Sequence, residues 1–126
     1  MKNTARCAVF LIVLFVLAGC GKQAVYENIT AQQAKQLMER EEGYVILDVR
    51  TEEEYAMGHI PGAILIPDYE IEQKAEHVLT DKNQMILIYC RSGRRSKNAA
   101  QTLQKLGYTD IREFGGIIDW PYEIES

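Results

Sequence analysis

Directly after the apolar run from Met85 to Ile88 comes the stretch Tyr89-Cys90-Arg91-Ser92-Gly93-Arg94-Arg95-Ser96, and a helical pattern follows it. This arrangement predicts a turn that joins a buried strand to a helix. A cysteine reacts as its thiolate, and both a helix N-terminus and nearby cations lower the pKa of a thiol from its ordinary value of about 8.5. The stretch therefore predicts that Cys90 is a nucleophile in an anion-binding loop.

Helical patterns and short apolar runs alternate on both sides of this loop. Thr51 and Glu54 form a capping-box pattern that opens a short turn of helix. The other predicted helices cover residues 31–41, 70–79, 96–106 and 117–120, and the predicted strands cover 44–47, 63–66, 85–89 and 110–114. The strands are apolar on both faces, as in parallel sheets that are covered on both sides. The sequence predicts an α/β fold, with a mainly parallel central sheet flanked by helices on both faces.

The loop after a strand of such a sheet is a preferred place for ligands, because they bind beyond the carboxyl ends of the strands. The backbone N–H groups from Arg91 to Ser96 are expected to curl around the Cys90 sulfur, with Gly93 supplying the restricted backbone conformation. Asp48 and Arg50 end a neighbouring predicted strand. Both a supporting and a catalytic role stay open for them at this stage.

The N-terminus has the features of a processing signal. Lys2 and Arg6 precede an apolar stretch over residues 8–17, and Leu17-Ala18-Gly19-Cys20 follows with small residues. This tetrapeptide resembles the lipobox of bacterial lipoproteins, a resemblance that implies acylation of Cys20. We expect a signal peptide over 1–19, a lipidated tether over 20–25 and a domain over 26–126. The expected location is the extracytoplasmic cell envelope, with the lipid, typically including palmitate, as the membrane anchor.

Charge and length narrow the class of partner. The formal net charge is −4, and removal of Lys2 and Arg6 with the signal brings it to about −6. Such an acidic surface disfavours nucleic acid as a partner. About 100 residues are enough for one domain, for which a monomer is the default expectation. Two distant histidines and one free thiol, Cys90, do not make the set of three or four ligands that a metal site needs.

Four ordered motifs carry a family resemblance that covers nearly all of the chain after the signal. They are Leu47-Asp48-Val49-Arg50, Gly58-His59-Ile60-Pro61-Gly62-Ala63, the Cys90 loop, and Gly115-Gly116 through Trp120. Together they resemble the rhodanese domain. The resemblance implies a single-domain sulfurtransferase without a cofactor, in which Cys90 takes a sulfane sulfur from a donor such as thiosulfate. The resulting persulfide passes its outer sulfur to cyanide or a thiol.

The resemblance also implies roles for individual residues. The loop residues that follow Cys90 would bind the persulfide and the anionic group of the donor; they are Arg91, Ser92, Gly93, Arg94, Arg95 and Ser96. Because so short a loop cannot turn all its arginines inward, Arg95 is expected to point in or to pair with groups at the strand ends. For Arg91 and Arg94, binding of the donor and simple exposure to solvent both stay open. His59 is expected to pack as part of a structural loop.

Two other classes of function stay open. A cysteine in an oxyanion-binding loop also serves phosphatases and arsenate reductases, although those of this fold carry a loop one residue longer, with histidine before the cysteine. A tethered domain of this kind is also suited to hold a persulfide or to sense oxidants for a partner, with little turnover. The sequence favours sulfur transfer over both.

Overall fold

The computed structural model describes residues 23–126, and its central element is a five-stranded sheet whose neighbouring strands are all parallel. The elements in chain order are β1 (Val25–Asn28), α1 (Ala31–Arg40), β2 (Val45–Asp48), α2 (Glu52–Met57), β3 (Ile64–Leu65), a 3-10 helix (Asp68–Glu70), α3 (Ile71–Val78), β4 (Ile86–Cys90), α4 (Arg94–Lys105), β5 (Asp110–Gly116) and a second 3-10 helix (Ile117–Asp119). The strand order β1-β5-β4-β2-β3 places β4, which ends at Cys90, in the middle of the sheet.

Apolar side chains cover both faces of this sheet. On one face, Ala75 of α3 and Leu103 of α4 belong to the same buried cluster as Ile88 of β4. On the other, Leu37 of α1 belongs to a cluster with Leu87 of β4. Consecutive residues of a strand point to opposite faces, so β4 contributes to both clusters. The predicted α/β fold with helices on both faces of a parallel sheet is confirmed.

The strand β1 is absent from the sequence-based prediction. It forms one edge of the sheet and pairs with β5, from Val25 against Asp110 to Asn28 against Glu113. It begins at Val25, the last residue of the predicted tether over 20–25. Its short pattern of apolar and polar residues is a weak local signal, and its partner lies at the other end of the chain.

Several predicted boundaries differ from the structure. The strand predicted over 63–66 is limited to Ile64–Leu65, an edge strand that pairs with β2 at two positions. The helix predicted over 70–79 is preceded by a 3-10 turn, and α3 itself begins at Ile71. The capping box of Thr51 and Glu54 is present as predicted.

The predicted signal peptide over 1–19 and the predicted lipidation of Cys20 lie outside the described residues and stay predictions. From residue 23 onward, no helix combines the length and the apolar character needed to cross a membrane.

Candidate active site

The loop after β4 forms the centre of the candidate site. β4 ends at Cys90 and α4 begins at Arg94, two residues before the predicted start at Ser96. Gly93 caps the helix with a φ of 112°, a left-handed conformation that glycine adopts without the steric cost of a β-carbon. The early start brings the N-terminus of α4, with its unpaired N–H groups, close to the end of β4.

The Cys90 thiol is fully buried, with 0% of its surface exposed, and hydrogen-bond donors surround it. The Gly93 N–H donates to Sγ at 3.0 Å, and the Ser96 hydroxyl lies 3.4 Å from the sulfur. Burial raises the pKa of Cys90, but hydrogen bonds from the Ser96 side chain and from the N–H groups of Ser96, Gly93 and Ser92 lower it, and the net pKa is below the ordinary value. A buried thiol with these donors is prepared to become an anion.

The three loop arginines have different surroundings. Arg91 and Arg94 are exposed. Arg95 donates to both carboxylate oxygens of Glu54 in α2, at 2.7 and 2.9 Å. The expected pairing of Arg95 with a strand end is therefore wrong, because the first turn of α2 supplies its partner. The bond to Arg95 is the main cause that lowers the pKa of Glu54 to about 2.

Asp48 and Arg50 form a buried ion pair behind the loop. The Arg50 Nη2 donates to Asp48 Oδ2 and to the Gly58 carbonyl, both at 2.7 Å. The Tyr89 hydroxyl donates to the same Asp48 oxygen at 2.6 Å and accepts from the Ile60 N–H at 3.0 Å. These bonds join the ends of β2 and β4 to the loop over 58–60. The contacts of both side chains are those of supporting residues.

Sequence reasoning missed Tyr89 as a member of this cluster. Its hydroxyl is buried between Asp48 and Ile60, and burial, followed by the hydrogen bond to Asp48, raises its pKa. A tyrosine at the end of an otherwise aliphatic strand was the available signal, because a buried tyrosine hydroxyl usually has a hydrogen-bond partner.

Sequence reasoning also missed Glu113, which lies in β5 with only 2% of its surface exposed. Its Oε1 accepts from the Ser96 hydroxyl at 2.6 Å and from the Gly115 N–H at 2.9 Å. A glutamate directly before the last residue of the predicted strand over 110–114 was the signal, because carboxylates are rarely buried without a specific partner.

Neither His59 nor His77 belongs to a group of described side chains that could bind a metal ion. His59 stacks on the Tyr55 ring with 3.8 Å between centroids, and its Nδ1 lies 3.0 Å from the Tyr55 carbonyl oxygen, a packing contact. His77 is exposed on α3. Within residues 23–126, no group of three or more histidine, cysteine or acidic side chains is placed to hold a metal ion.

Gly116 lets β5 pass directly beneath the Cys90 loop. A β-carbon at this position would collide with the backbone carbonyl of Arg91. The Ile118 N–H donates to that carbonyl at 3.2 Å, so the loop has little freedom to move away.

Gly116→Ala is therefore expected to displace the loop, to cost roughly 1–3 kcal/mol of unfolding free energy and to slow alkylation of Cys90. Urea unfolding and the alkylation rate measure the two effects. Gly62→Ala is a control for backbone strain without a collision, because Gly62 has a φ of 81° and no atom within 4 Å of an added β-carbon, whereas Gly116 has an extended φ of −130°. Equal losses in the two variants, with unchanged Cys90 reactivity, would contradict the role assigned to this close approach.

The family model of the rhodanese-like domain matches residues 30–121, a range that contains every element from α1 to the second 3-10 helix. The chain belongs to the rhodanese family. The matched range includes the Cys90 loop, the Asp48–Arg50 pair and the close approach of Gly116.

Several named relatives are similar to this chain. The chain is 38% identical over 73 residues to the thiosulfate sulfurtransferase PspE of Escherichia coli, covering 58% of this chain and 70% of the relative. It is 34% identical over 94 residues to a sulfurtransferase of Allochromatium vinosum, covering 74% and 86%. It is 41% identical over 99 residues to the sulfur carrier protein YrkF of Bacillus subtilis, covering 78% of this chain but only 52% of that relative. The chain thus spans about half the length of YrkF.

Two solved structures have the same fold. The rhodanese with anions from Escherichia coli superposes with a TM-score of 0.62 at 34% identity, covering 66% of this chain and 98% of that chain. The protein SSP1007 from Staphylococcus saprophyticus gives a TM-score of 0.71 at 31% identity, covering 80% and 100%.

A cavity of about 480 Å³ lies beside the Cys90 loop of this rhodanese domain, within the range of roughly 300–1,000 Å³ that is usual for small-molecule sites. Arg50, Arg91 and Glu54 are the charged residues that line it, and Met57, Ile118 and Ile124 are exposed apolar residues on its walls. The cavity therefore combines charged groups of both signs with apolar surface, and it touches the Cys90 loop at Arg91.

Proposed function

We propose that this protein is a sulfurtransferase that moves a sulfane sulfur from a donor such as thiosulfate to a thiophilic acceptor through a persulfide on Cys90. The observation that carries the proposal is the convergence of the Gly93 N–H and the Ser96 hydroxyl on a thiol whose pKa is lowered. The similarity to proteins named as sulfurtransferases supports it.

In the first half-reaction, the Cys90 thiolate attacks the outer sulfur of thiosulfate. A new bond forms between the two sulfurs, and the donor's sulfur–sulfur bond breaks with its electron pair leaving on sulfite. The sulfite end of the donor is anionic, and we assign its binding to Arg91 and Arg94, whose guanidinium groups are exposed. Arg95 is already paired with Glu54 and is left to hold α2 against α4.

In the second half-reaction, cyanide or a thiol attacks the outer sulfur of the persulfide. The bond to Cys90 breaks, its electron pair returns to the cysteine as a thiolate, and thiocyanate or a new persulfide leaves. The N–H groups that stabilise the thiolate at the start stabilise it again as the leaving group. Neither half-reaction needs a metal or an organic cofactor.

A persulfide carrier with slow turnover is the second candidate. Two observations favour it: the similarity to a protein named as a sulfur carrier, and the complete burial of Cys90, which restricts access to the sulfur.

An oxidant sensor is less supported, because Cys90 is the only cysteine within residues 23–126 and has no resolving thiol there. Phosphoryl or arsenate chemistry is less supported because the last loop arginine, Arg95, faces Glu54.

The test is the intact mass of the purified, reduced protein after incubation with thiosulfate and then with cyanide. We expect a gain of about 32 Da, one sulfur atom, located on Cys90 and removed by cyanide with release of thiocyanate. A stable gain without catalytic release would support the carrier. Absence of a gain with thiosulfate and with an organic persulfide donor would contradict both proposals.

A further inference from the structure

Glu113 is a buried carboxylate next to the reacting sulfur, and the two half-reactions above do not use it. It makes no ion pair with any residue from 23 to 126. Its hydrogen-bond donors are the Ser96 hydroxyl and the Gly115 N–H, and both reach the same oxygen, Oε1. Burial of a carboxylate without a cation costs free energy, so these two bonds are what hold Glu113 in place.

The Ser96 hydroxyl has more acceptors than protons. Its oxygen lies 2.6 Å from Glu113 Oε1, 3.0 Å from the Gly93 carbonyl oxygen and 3.4 Å from Cys90 Sγ. A hydroxyl donates one hydrogen bond at a time, and the acceptor at the shortest distance, here Glu113 Oε1, receives the strongest one. Glu113 and the sulfur therefore compete for the Ser96 proton, and the shorter bond to Glu113 weakens the bond to the sulfur.

We propose that Glu113 is a positioning residue that sets the reactivity of Cys90 through the orientation of the Ser96 hydroxyl. While Glu113 accepts the hydroxyl, the Ser96 bond to the sulfur is long and weak, and the backbone N–H groups are the main donors to the sulfur. When Glu113 releases it, the hydroxyl turns to the sulfur and stabilises the thiolate as a further donor. The inference rests on the proposed function in one respect, that Cys90 is the reacting group.

Other charged and titratable groups surround this unit. Tyr26 of β1 is close enough to Glu113 that the carboxylate contributes, after burial, to a raised pKa of the tyrosine. Arg95 of α4 is near Cys90, but its guanidinium is bound to Glu54 of α2. The Ser96 hydroxyl is the one side-chain link between the carboxylate and the sulfur among the described hydrogen bonds.

The test is the rate of Cys90 alkylation by iodoacetamide as a function of pH, followed by peptide mass spectrometry so that Cys90 is measured separately from the other cysteines. In Glu113→Gln the charge is lost and the shape is kept, so we expect the pKa of Cys90 to fall by about one unit. At a pH well below that pKa, alkylation should be about tenfold faster. Glu42→Gln, which changes an exposed carboxylate, should leave the profile unchanged.

The route through Ser96 is tested by a double-mutant cycle. Ser96→Ala should raise the pKa of Cys90, and most of the Glu113→Gln shift should disappear in the Ser96→Ala background. A shift that persists there would mean that the carboxylate acts by direct repulsion and would overturn the proposal. No shift in Glu113→Gln would also overturn it.

If Glu113→Gln does not fold, Glu113→Asp keeps the charge but withdraws the carboxylate from the hydroxyl, and a smaller fall in the pKa of Cys90 is expected. An unchanged profile in a folded Glu113→Asp variant would contradict the proposal. Because alkylation needs no sulfur donor, this experiment gives its answer even if the protein fails to transfer sulfur.

Discussion

Cys90→Ser is expected to abolish sulfur transfer, with thiocyanate release from thiosulfate and cyanide falling to the rate without protein. A serine oxygen cannot form the persulfide, and at neutral pH an unactivated hydroxyl is a far weaker nucleophile than a thiolate. The fold should survive, because the serine oxygen fits the space of the sulfur and can accept the Gly93 N–H in its place. The measurements are thiocyanate release and thermal unfolding.

The control for this variant is Asn98→Ala, which changes an exposed residue of α4 and leaves the loop intact. Its rate should equal that of the unchanged protein. Sulfur transfer by a folded Cys90→Ser protein would show that the nucleophile lies elsewhere in the chain. Loss of the mass gain in Cys90→Ser, together with its retention in Asn98→Ala, would place the persulfide on Cys90.

Asp48→Ala is expected to lower the free energy of unfolding by about 3–5 kcal/mol, the usual cost of removing one partner of a buried ion pair. The substitution leaves the Arg50 guanidinium buried without its carboxylate and the Tyr89 hydroxyl without its acceptor. The Gly58 carbonyl is then the remaining partner of Arg50 Nη2. Urea unfolding measures the loss.

Two further variants show whether the loss comes from the unpaired charge. Glu39→Ala removes one partner of an exposed pair with Lys35, and a change within about 0.5 kcal/mol is expected. In the double variant Asp48→Leu with Arg50→Met, apolar side chains replace both charges, so a large part of the lost stability should return. A double variant that is less stable than Asp48→Ala would mean that shape and hydrogen bonds, rather than charge, make this pair important.

The positions of the main elements could be predicted because their signals are local. The apolar run before Cys90 and the helical spacing after it predict a strand, a turn and a helix within residues 85–106, and the structure has them as β4 and α4. Thr51 and Glu54 are three residues apart and cap α2 as predicted. Such signals depend on neighbours within one turn of helix or one strand.

The partners of the polar side chains could not be predicted in the same way. Arg95 and Glu54 are 41 positions apart, as are Tyr89 and Asp48, and Ser96 and Glu113 are 17 apart. These pairs meet because β2, β4 and β5 are neighbours in the sheet. Strand order, and the direction in which each side chain leaves its strand or helix, decide such contacts.

The stabilisation of the thiol also has one part that the sequence predicts and one part that only the folded chain decides. The sequence predicts that the pKa of Cys90 is lowered both by the backbone N–H groups at the start of the helix and by the charge of the three loop arginines. In the structure the groups that lower it are the Ser96 hydroxyl and backbone N–H groups, while Arg95 is bound to Glu54. The charge of a side chain can be counted in a sequence, but the atom that it faces depends on the folded chain.

The sequence by itself determined that Cys90 is the nucleophile candidate, that a parallel sheet carries it and that it lies at the carboxyl end of its strand. Residue type and hydrophobic spacing are local properties, so the sequence contains them directly. The tertiary structure alone decided that β1 closes one edge of the sheet, that Arg95 is held by α2, and that Ser96 is shared between Cys90 and Glu113. Each of these depends on contacts between segments distant in the chain, whose geometry exists only once the sheet has formed.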